Sequence, residues 1–276
     1  DNITLLALIQ RWPLSTRNSL FERAMYQADR LHAFAAESDS LAVVTSSEEL
    51  KQVLKSREDG SKLIAGLLGT EGSHALDGDL DNIRRLYDAG FRMMSLQHFF
   101  DNKLGGSLHG ESNAGLTEFG REAVRLMDSM GIMIDVSHSS PQVVDDVLNL
   151  IDSPLIVSHT GFKGHCDRKR NISDDLIMRI AERGGLMGVG FWSEAVCGID
   201  VTAIADAIAY GVETFGVEAV ALGSDWDGAV TTPIAANDLA YLTSALLKRG
   251  LSEDDIRAVM GGNTIRYFLE HLPATD

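Results

Sequence analysis

The sequence has few basic residues, only two cysteines and no long apolar run, and each shortage excludes a class of protein. Lys and Arg number 24 against 40 Asp and Glu, which gives a formal net charge of −16. Nucleic-acid binding requires clustered basic side chains, so we expect no nucleic-acid partner. No apolar stretch approaches the roughly 20 residues that span a bilayer, so we expect no transmembrane segment in this chain.

Signals of export and of disulfide bonding are equally sparse. The first residues lack the basic region of a signal peptide, and the chain begins with Asp1 rather than Met, so we expect that an upstream segment has been removed. Cys166 and Cys197 lie just beyond two consecutive predicted strands. Two cysteines alone favour free thiols, although a bridge stays open because spacing does not give connectivity. Exported and cytoplasmic locations both stay open.

The length and composition predict one large domain. A chain of 276 residues, 45% of them hydrophobic, can bury one large core, and single α/β barrels are often of this size. The sequence has no repeat, low-complexity tract or Pro/Ser-rich linker. We therefore expect residues 1–276 to form one domain, and a homo-oligomer of such domains stays open.

Five short apolar runs end on a residue that can bind a metal or transfer a proton: Glu71, His98, His138, His159 and Asp225. Segments of helical periodicity lie between them, and this alternation predicts parallel strands joined by crossover helices. In a parallel α/β barrel the carboxyl ends of the strands share one face. Two His, one Glu and one Asp on that face form a ligand set for zinc or a similar divalent ion. The sequence therefore predicts a metallohydrolase.

The predicted strands are fewer than a closed barrel needs. Six runs end on the functional face, at about 63–70, 92–97, 132–137, 154–158, 186–191 and 219–224, whereas a closed barrel of this type has eight strands. The first sixty residues predict a helix at about 16–38, a short extended piece from Leu41 and a helix capped by Ser46 or Ser47. We therefore expect two further strands to precede residue 1.

Each candidate metal ligand also has an ordinary structural interpretation. Glu71 follows a strand and is equally well explained as a loop carboxylate that caps the next helix. A single histidine at a strand end is usually structural, but His138 and His159 end successive strands and together favour a metal site. Asp225 ends its strand directly, while Asp227 is assigned to the following turn.

The remaining polar candidates stay open at this point. His98 is interpreted as a ligand, an acid or base, or an oxyanion stabiliser. Arg170 is either a solvated charge or a fork for a substrate carboxylate. The other histidines are expected to be incidental: His74, His109 and His165 in loops, and His32 and His271 in helices.

Several motifs together resemble the membrane dipeptidase family, also called renal dipeptidase or peptidase family M19. They are GTEGSHAL, SLQHFFDN, GLTEFGREAVRLMDSMGIMIDVSHSS, PLIVSHTGFKGHCDRKRNISDDLI and ALGSDWDG, and the similarity runs in order from about residue 18 to the C-terminus. The resemblance implies an amidohydrolase-type (β/α)8 barrel with a two-zinc centre that hydrolyses dipeptides. The implied reaction is attack on the peptide carbonyl by a hydroxide that bridges the zinc ions.

The resemblance also implies a role for each matched residue. Glu71 would bridge both zinc ions, and His138 with His159 would complete the second site. Asp225 would belong to the first site and shuttle the proton. Two further roles concern the substrate: His98 would stabilise the oxyanion, and Arg170 would bind the C-terminal carboxylate of the dipeptide. Family cysteines that match Cys166 and Cys197 are bridged in exported members, which puts a disulfide and export here on an equal footing with free thiols and the cytoplasm.

We expect one family motif to have no counterpart anywhere in this chain. The family places a His-x-Asp pair on its first barrel strand, where it supplies two ligands of the first zinc. Without that pair the first metal would have only Glu71 and Asp225, a weak set for zinc. Two alternatives therefore stay open: another metal-dependent amidohydrolase, of the deacetylase or lactamase type, and a non-catalytic barrel relative that lacks the first metal site.

Overall fold

The protein is an α/β fold built on parallel strands, seen in a computed structural model that describes residues 2–274. The strands are β1 Leu41–Val43, β2 Ile64–Gly66, β3 Leu68–Thr70, β4 Phe91–Ser95, β5 Met133–Asp135, β6 Ile156–Thr160, β7 Leu186–Val189 and β8 Val220–Leu222. The α-helices are α1 Asn2–Ile9, α2 Leu20–Ala36, α3 Ser47–Glu58, α4 Asp81–Asp88, α5 Glu118–Ser129, α6 Pro141–Leu150, α7 Asp174–Glu182, α8 Ser193–Val196, α9 Val201–Phe215, α10 Leu239–Lys248, α11 Glu253–Arg257 and α12 Asn263–His271.

The main sheet contains six parallel strands in chain order, from β3 to β8. Every consecutive pair is parallel and is joined through at least one helix, as the alternation of the sequence predicts. All six predicted strands are present, and the α/β class is confirmed. Within residues 2–274, β3 and β8 form the two edges of this sheet and do not pair with each other.

The predicted strand at 63–70 is divided in two, which corrects the sequence-based assignment. Its first half, β2, pairs with β1 to form a separate two-stranded parallel sheet, whereas its second half, β3, pairs with β4. Gly66 and Gly69 flank the division, and the β3–β4 register shifts between Leu68 and Gly69. Glycine inside a strand commonly marks such a bend, because it has no side chain to hold the pleat.

Helix ends follow the predicted caps. Ser46 is the N-cap of α3 and forms a capping box with Glu49, in which each side chain accepts a hydrogen bond from the other residue's backbone. Ser173 precedes α7, but its side chain makes no capping hydrogen bond. Gly90 and Gly131 follow α4 and α5 with φ of 100° and 69°, the left-handed geometry that favours glycine after a helix. Helix α1 was not predicted.

An apolar cluster closes the end of the main sheet where the strands begin. Met133, Ile156 and Leu186, at the first positions of β5, β6 and β7, pack in one cluster with Leu50 of α3 and Tyr267 of α12. The Tyr267 hydroxyl donates a hydrogen bond to the carbonyl of Pro154 over 3.0 Å. Because this end is filled with side chains, the opposite end, where the strands finish, is left for polar residues.

Candidate metal centre at the strand ends

The candidate ligands come together where the strands of the main sheet end. Glu71 follows β3, His98 lies in the loop after β4, His138 follows β5, His159 lies within β6, and Asp225 follows β8. Because parallel strands run in one direction, their carboxyl ends bring residues distant in sequence to one edge. The convergence predicted from the sequence is therefore present in the structure.

The carboxylate of Glu71 is the hub of the cluster. Its Oε1 lies 3.1 Å from Nε2 of His138, 3.2 Å from Nε2 of His159 and 3.5 Å from Nε2 of His98. The Nε2 atoms of His138 and His159 are 2.8 Å apart. Both imidazoles are buried, whereas the carboxylate and His98 are partly open to solvent. The Oε1 atom of Glu71 and the Nε2 atoms of His138 and His159 thus face one another at the carboxyl end of the sheet.

These distances fit a bound divalent ion. Tetrahedral ligands at about 2.0–2.1 Å from zinc stand about 3.3 Å apart, close to the separations around Glu71 Oε1. Two sets of ligand atoms each lie within 4.8 Å of one another: Glu71 with His98 and His138, and Glu71 with His159 and Asp225. Glu71 belongs to both sets.

The protonation states also suit metal binding. Burial alone would raise the pKa of Glu71, but hydrogen bonds with His138 and His159 and the charges of nearby imidazoles outweigh it and lower that pKa. Burial lowers the pKa of His138 to about 3, although its hydrogen bond with Glu71 opposes the shift. Burial likewise lowers the pKa of His98. An ionised carboxylate and neutral imidazoles are the forms that bind zinc.

Asp225 differs from Glu71 in its electrostatics. Burial raises the pKa of Asp225, the charge of Glu71 adds to this, and His159 and Arg170 oppose it. The higher pKa makes Asp225 the more easily protonated of the two carboxylates. Asp227 is exposed beside it, and the turn is closed by the amide of Gly228, which donates to the carbonyl of Asp225 over 3.0 Å.

Gly228 has no side chain, and this leaves the space that the Asp225 carboxylate occupies. A Cβ added at Gly228 would lie 2.0 Å from Oδ1 and 2.4 Å from Cγ of Asp225. We therefore expect Gly228→Ala to rotate the carboxylate away and to lower turnover of a metal-loaded enzyme by about 10- to 100-fold. The melting temperature should change little, because only the end of one side chain must move. Unchanged kcat in this variant would contradict a working role for Asp225.

Two site residues have an unusual backbone conformation. His138 and Asp225 have φ of 62° and 57°, in the left-handed region that residues other than glycine rarely adopt. Each lies three residues beyond the end of a strand, β5 or β8, and their side chains lie in the ligand cluster. Strain of this kind concentrates at functional sites, where the surrounding fold holds it.

Arg170 lies buried beside the ligands rather than in solvent. Its Nη2 donates to the carbonyl of His159 over 2.9 Å and lies 3.4 Å from Nε2 of His138. The guanidinium carbon is 5.2 Å from the ring centre of Trp192. Burial lowers the pKa of Arg170 to about 10, so the group stays charged at neutral pH. Its Nη1 is buried and has no hydrogen-bond partner within residues 2–274, which favours an anionic ligand.

Two histidines that the sequence predicted to be incidental, His74 and His109, lie close to the site. The ring of His109 is 5.3 Å from that of His138 and 4.9 Å from that of Phe99. Burial lowers the pKa of His109 to about 4 and also lowers that of His74, which adjoins His98. His109 comes from a loop, whereas His74 lies in a short 3-10 helix, Ser73–Leu76, rather than in the loop that the sequence predicted. Neither periodicity nor a strand end marks the position of either residue. The motif GSLHG around His109 gives no such signal.

Ser107 fixes the loop that carries His109. Its hydroxyl donates to the carbonyl of His98 and accepts from the amide of His109 over 3.1 Å. The next amide, that of Leu108, donates to the carbonyl of His138 over 2.7 Å. The loop is therefore attached to the backbone of two site histidines, which explains why His109 packs so close to them.

The chain's only His-x-Asp spacing does not contribute to this cluster. His165 and Asp167 lie in the loop after β6, where the His165 ring packs 5.5 Å from that of Tyr210. Asp167 is exposed and lies 3.8 Å from Nζ of Lys163. The residue between them, Cys166, forms a disulfide with Cys197, whose Cα lies 5.5 Å away. The bridge is therefore present, and the free-thiol alternative is wrong.

The disulfide joins two loops that a second contact also holds. The side-chain amide of Asn171 donates to the carbonyls of Cys166 and Ala195 over 2.8 and 3.0 Å. The bridge closes a loop with a sequence separation of 31 residues, which corresponds to about 3–4 kcal/mol in the chain-entropy description.

We expect the double replacement of Cys166 and Cys197 by serine to lower the free energy of unfolding by about 3 kcal/mol, because the unfolded chain gains freedom. Activity at low temperature should persist, since Asn171 still ties the loops together. Denaturant unfolding of the variant, with reduced wild type as its control, measures the effect. Coincident curves for oxidised and reduced wild type would contradict this prediction.

A parallel α/β sheet whose strand ends gather imidazoles and carboxylates defines the class of metal-dependent hydrolases of the amidohydrolase type. The chain belongs to one family of that class, the membrane dipeptidases (peptidase family M19), whose sequence model matches residues 8–272. The resemblance noted from the sequence is confirmed.

Named relatives agree with this membership. Human Dipeptidase 3 is 30% identical over 257 residues, which cover 89% of this chain and 51% of that protein; mouse Dipeptidase 3 is also 30% identical, with 89% and 50% covered. The chain thus spans about half the length of the curated relatives it matches.

Solved structures of the family share the fold. The probable dipeptidase PvdM from Pseudomonas aeruginosa aligns with a TM-score of 0.81 at 20% identity, over 90% of this chain and 78% of that one. A metallo peptidase from Rhodobacter sphaeroides aligns with a TM-score of 0.77 at 24% identity, over 90% and 73%. None of the helices in residues 2–274 combines the length and apolarity that crossing a membrane requires.

Proposed function

We propose that this chain carries the active site of a zinc-dependent dipeptidase that hydrolyses the peptide bond of free dipeptides. One observation carries the proposal: the buried guanidinium of Arg170, with an unpartnered Nη1, lies 3.4 Å from His138 Nε2 in the ligand cluster. A cation at that place can hold a substrate carboxylate next to a metal. The distance suits a substrate whose scissile bond is close to its carboxylate, as in a dipeptide.

The ligand cluster would hold two zinc ions. His138 and His159, with Glu71, would hold one ion, and Glu71 with Asp225 would contact the second. Bound zinc supplies Lewis acidity, which lowers the pKa of water and polarises a carbonyl oxygen. Neutral His138 and ionised Glu71 need no proton exchange before binding, as their lowered pKa values indicate. The protein part of the site is thus prepared for metal.

The remaining residues would act on the substrate. Arg170 would hold the C-terminal carboxylate and so fix the position of the peptide bond. His98 is half-buried and would donate a hydrogen bond to the oxyanion that develops from the carbonyl. Asp225, with its raised pKa, would take up a proton and deliver it to the leaving amine. Each role uses an atom that the fold already brings to the strand ends.

The comparisons support this substrate class. Human Dipeptidase 3 carries the activity in its name, and the Rhodobacter sphaeroides enzyme is described with a phosphinate mimic of the dipeptide L-Ala-D-Ala. At 24% identity the second likeness concerns the fold, so the substrate is inferred from Arg170 and the ligand cluster. The disulfide supports export to an oxidising compartment, either periplasmic or membrane-associated.

The test is zinc content together with hydrolysis of one dipeptide in three forms: unmodified, N-acetylated and C-terminally amidated. A dipeptidase should bind about two zinc ions per chain and cleave the unmodified form, with a large loss of kcat/KM for the amide. Cleavage of the acetylated or amidated form at equal rates would indicate another amidohydrolase. One ion or none, without turnover of any form, would indicate a non-catalytic relative and overturn the proposal.

A further inference from the structure

Asp135 is a fully buried carboxylate that the proposed reaction does not use. It ends β5, two per cent of it is exposed, and both of its oxygens are occupied. Oδ1 accepts hydrogen bonds from the amides of Ser137 and Ser158 over 2.9 and 3.0 Å. Oδ2 accepts a hydrogen bond from the hydroxyl of Ser158 over 2.6 Å. The register that aligns Asp135 with Ile156 of β6 brings these groups together.

The Ser158 hydroxyl connects this carboxylate to a candidate metal ligand. Its Oγ lies 2.8 Å from Nδ1 of His159 and 3.0 Å from Oγ of Ser137. Ser137 Oγ in turn accepts the backbone amide of His159 over 3.2 Å. The contacts form a chain from Asp135 through Ser158 to the ring nitrogen of His159 that faces away from Glu71.

The direction of each hydrogen bond in this chain follows from Asp135. Ser158 donates its single hydroxyl hydrogen to Oδ2 of Asp135. Ser158 Oγ can then only accept from its other two neighbours, and Nδ1 of His159 must carry a hydrogen. Because Nδ1 is engaged by Ser158, the nitrogen of His159 that is left to bind a metal is Nε2, the atom 3.2 Å from Glu71 Oε1.

We propose that Asp135 is a positioning residue that, through Ser158, fixes His159 in the tautomer whose Nε2 can bind metal. The inference rests on the proposed zinc site, but the tautomer is a property of the metal-free chain. Such outer contacts of metal-binding histidines hold the ring and set which nitrogen is free. For His138 the arrangement differs, because its Nδ1 is buried without a hydrogen-bond partner in residues 2–274.

Asparagine at position 135 should reverse the chain of hydrogen bonds. The two backbone amides at the Oδ1 position can be satisfied only by an oxygen, so the NH2 group of the asparagine must face Ser158. The NH2 group would then donate to Ser158 Oγ and free the serine hydrogen to point at Nδ1 of His159. The imidazole hydrogen would move to Nε2 and block the metal-binding atom.

The experiment compares Asp135→Asn, Ser158→Ala and the control Ser139→Ala, a buried hydroxyl that bonds to Gln97 instead. Imidazole 15N–1H spectra of the metal-free proteins report the tautomer of His159, and competition with a chromogenic chelator gives the zinc affinity. We expect the hydrogen on Nδ1 in wild type and in Ser139→Ala. In Asp135→Asn it should be on Nε2, and zinc affinity should fall by about 10- to 100-fold.

Ser158→Ala keeps the proposal testable if Asp135→Asn does not fold. It removes the partner of Nδ1 without introducing a reversed donor, so we expect mixed tautomers and a smaller loss of zinc affinity than in Asp135→Asn. A hydrogen on Nε2 in wild type, or an unchanged tautomer and affinity in the variants that fold, would overturn the proposal. If wild type binds no zinc, the dipeptidase proposal fails, while the spectra still decide the role of Asp135.

Discussion

Replacing His138 by alanine should remove the zinc ion that it shares with His159 and reduce kcat/KM by about 10³-fold or more. The removed Nε2 lies 2.8 Å from that of His159 and 3.1 Å from Glu71 Oε1, so two ligand atoms lose their neighbour at once. A metal that contributes several kcal/mol of transition-state stabilisation corresponds to a rate factor of about this size. Metal content by mass spectrometry, measured beside kinetics, tests the prediction.

The variant to compare with His138→Ala is His98→Ala, because the comparison separates loss of zinc from loss of turnover. His98 Nε2 is 3.5 Å from Glu71 Oε1, its ring is partly exposed, and its proposed role is to stabilise the oxyanion. We expect this variant to retain its zinc while kcat falls by about 10²- to 10³-fold. His32→Ala is the matched control, because His32 contacts the carbonyl of Ala89 just before β4, at the opposite end of the strand. Equal zinc loss in His98→Ala and His138→Ala would make His98 a ligand instead.

Arg170→Ala should lower kcat/KM for free dipeptides by about 10²- to 10³-fold and leave the zinc content unchanged. Truncating one partner of a buried charge pair costs about 2–5 kcal/mol, or about 30- to 5,000-fold, which brackets this range. For a dipeptide amide, which lacks the carboxylate, wild type and variant should be nearly equal. Arg170→Lys should recover only part of the loss, because an ammonium group cannot form the paired contacts of a guanidinium.

Lys169→Ala provides the control for Arg170. Lys169 is the adjacent cation but is exposed, so its removal changes the net charge equally without altering the buried contact. Its kcat/KM should stay within about twofold of wild type, as expected for a solvated charge. A similar loss in Lys169→Ala and Arg170→Ala would mean that overall charge attracts the substrate and that Arg170 has no specific role.

The sequence predicted the strand ends well because their signal is local. An apolar run that stops at a histidine or carboxylate predicts both a buried strand and a polar residue at its end, and parallel connection brings those ends together. This reasoning located Glu71, His138 and His159, and the family resemblance favoured the carboxylate-binding interpretation of Arg170 that the residues alone left open. The division of the 63–70 strand was not predicted, because a bend depends on which neighbour each half pairs with.

The supporting residues lacked such a signal. Asp135 is a single polar residue among apolar neighbours in a strand, and nothing in the sequence indicates its hydrogen-bond partners. Those partners are placed by the register of β5 against β6. His109 is brought to the cluster by a loop whose path depends on the hydrogen bonds of Ser107. Contacts of this kind join residues distant in sequence through backbone groups that every residue possesses. Composition and spacing therefore cannot indicate them.

The left-handed backbone at His138 and Asp225 has a consequence for engineering heat resistance. Each conformation costs a non-glycine residue about 1 kcal/mol, which glycine would recover. A library of variants selected only for remaining folded at high temperature should therefore enrich glycine at these two positions and yield thermostable but inactive proteins. Selection that alternates heating with a catalytic screen would retain both side chains and would have to find its improvements elsewhere in the fold.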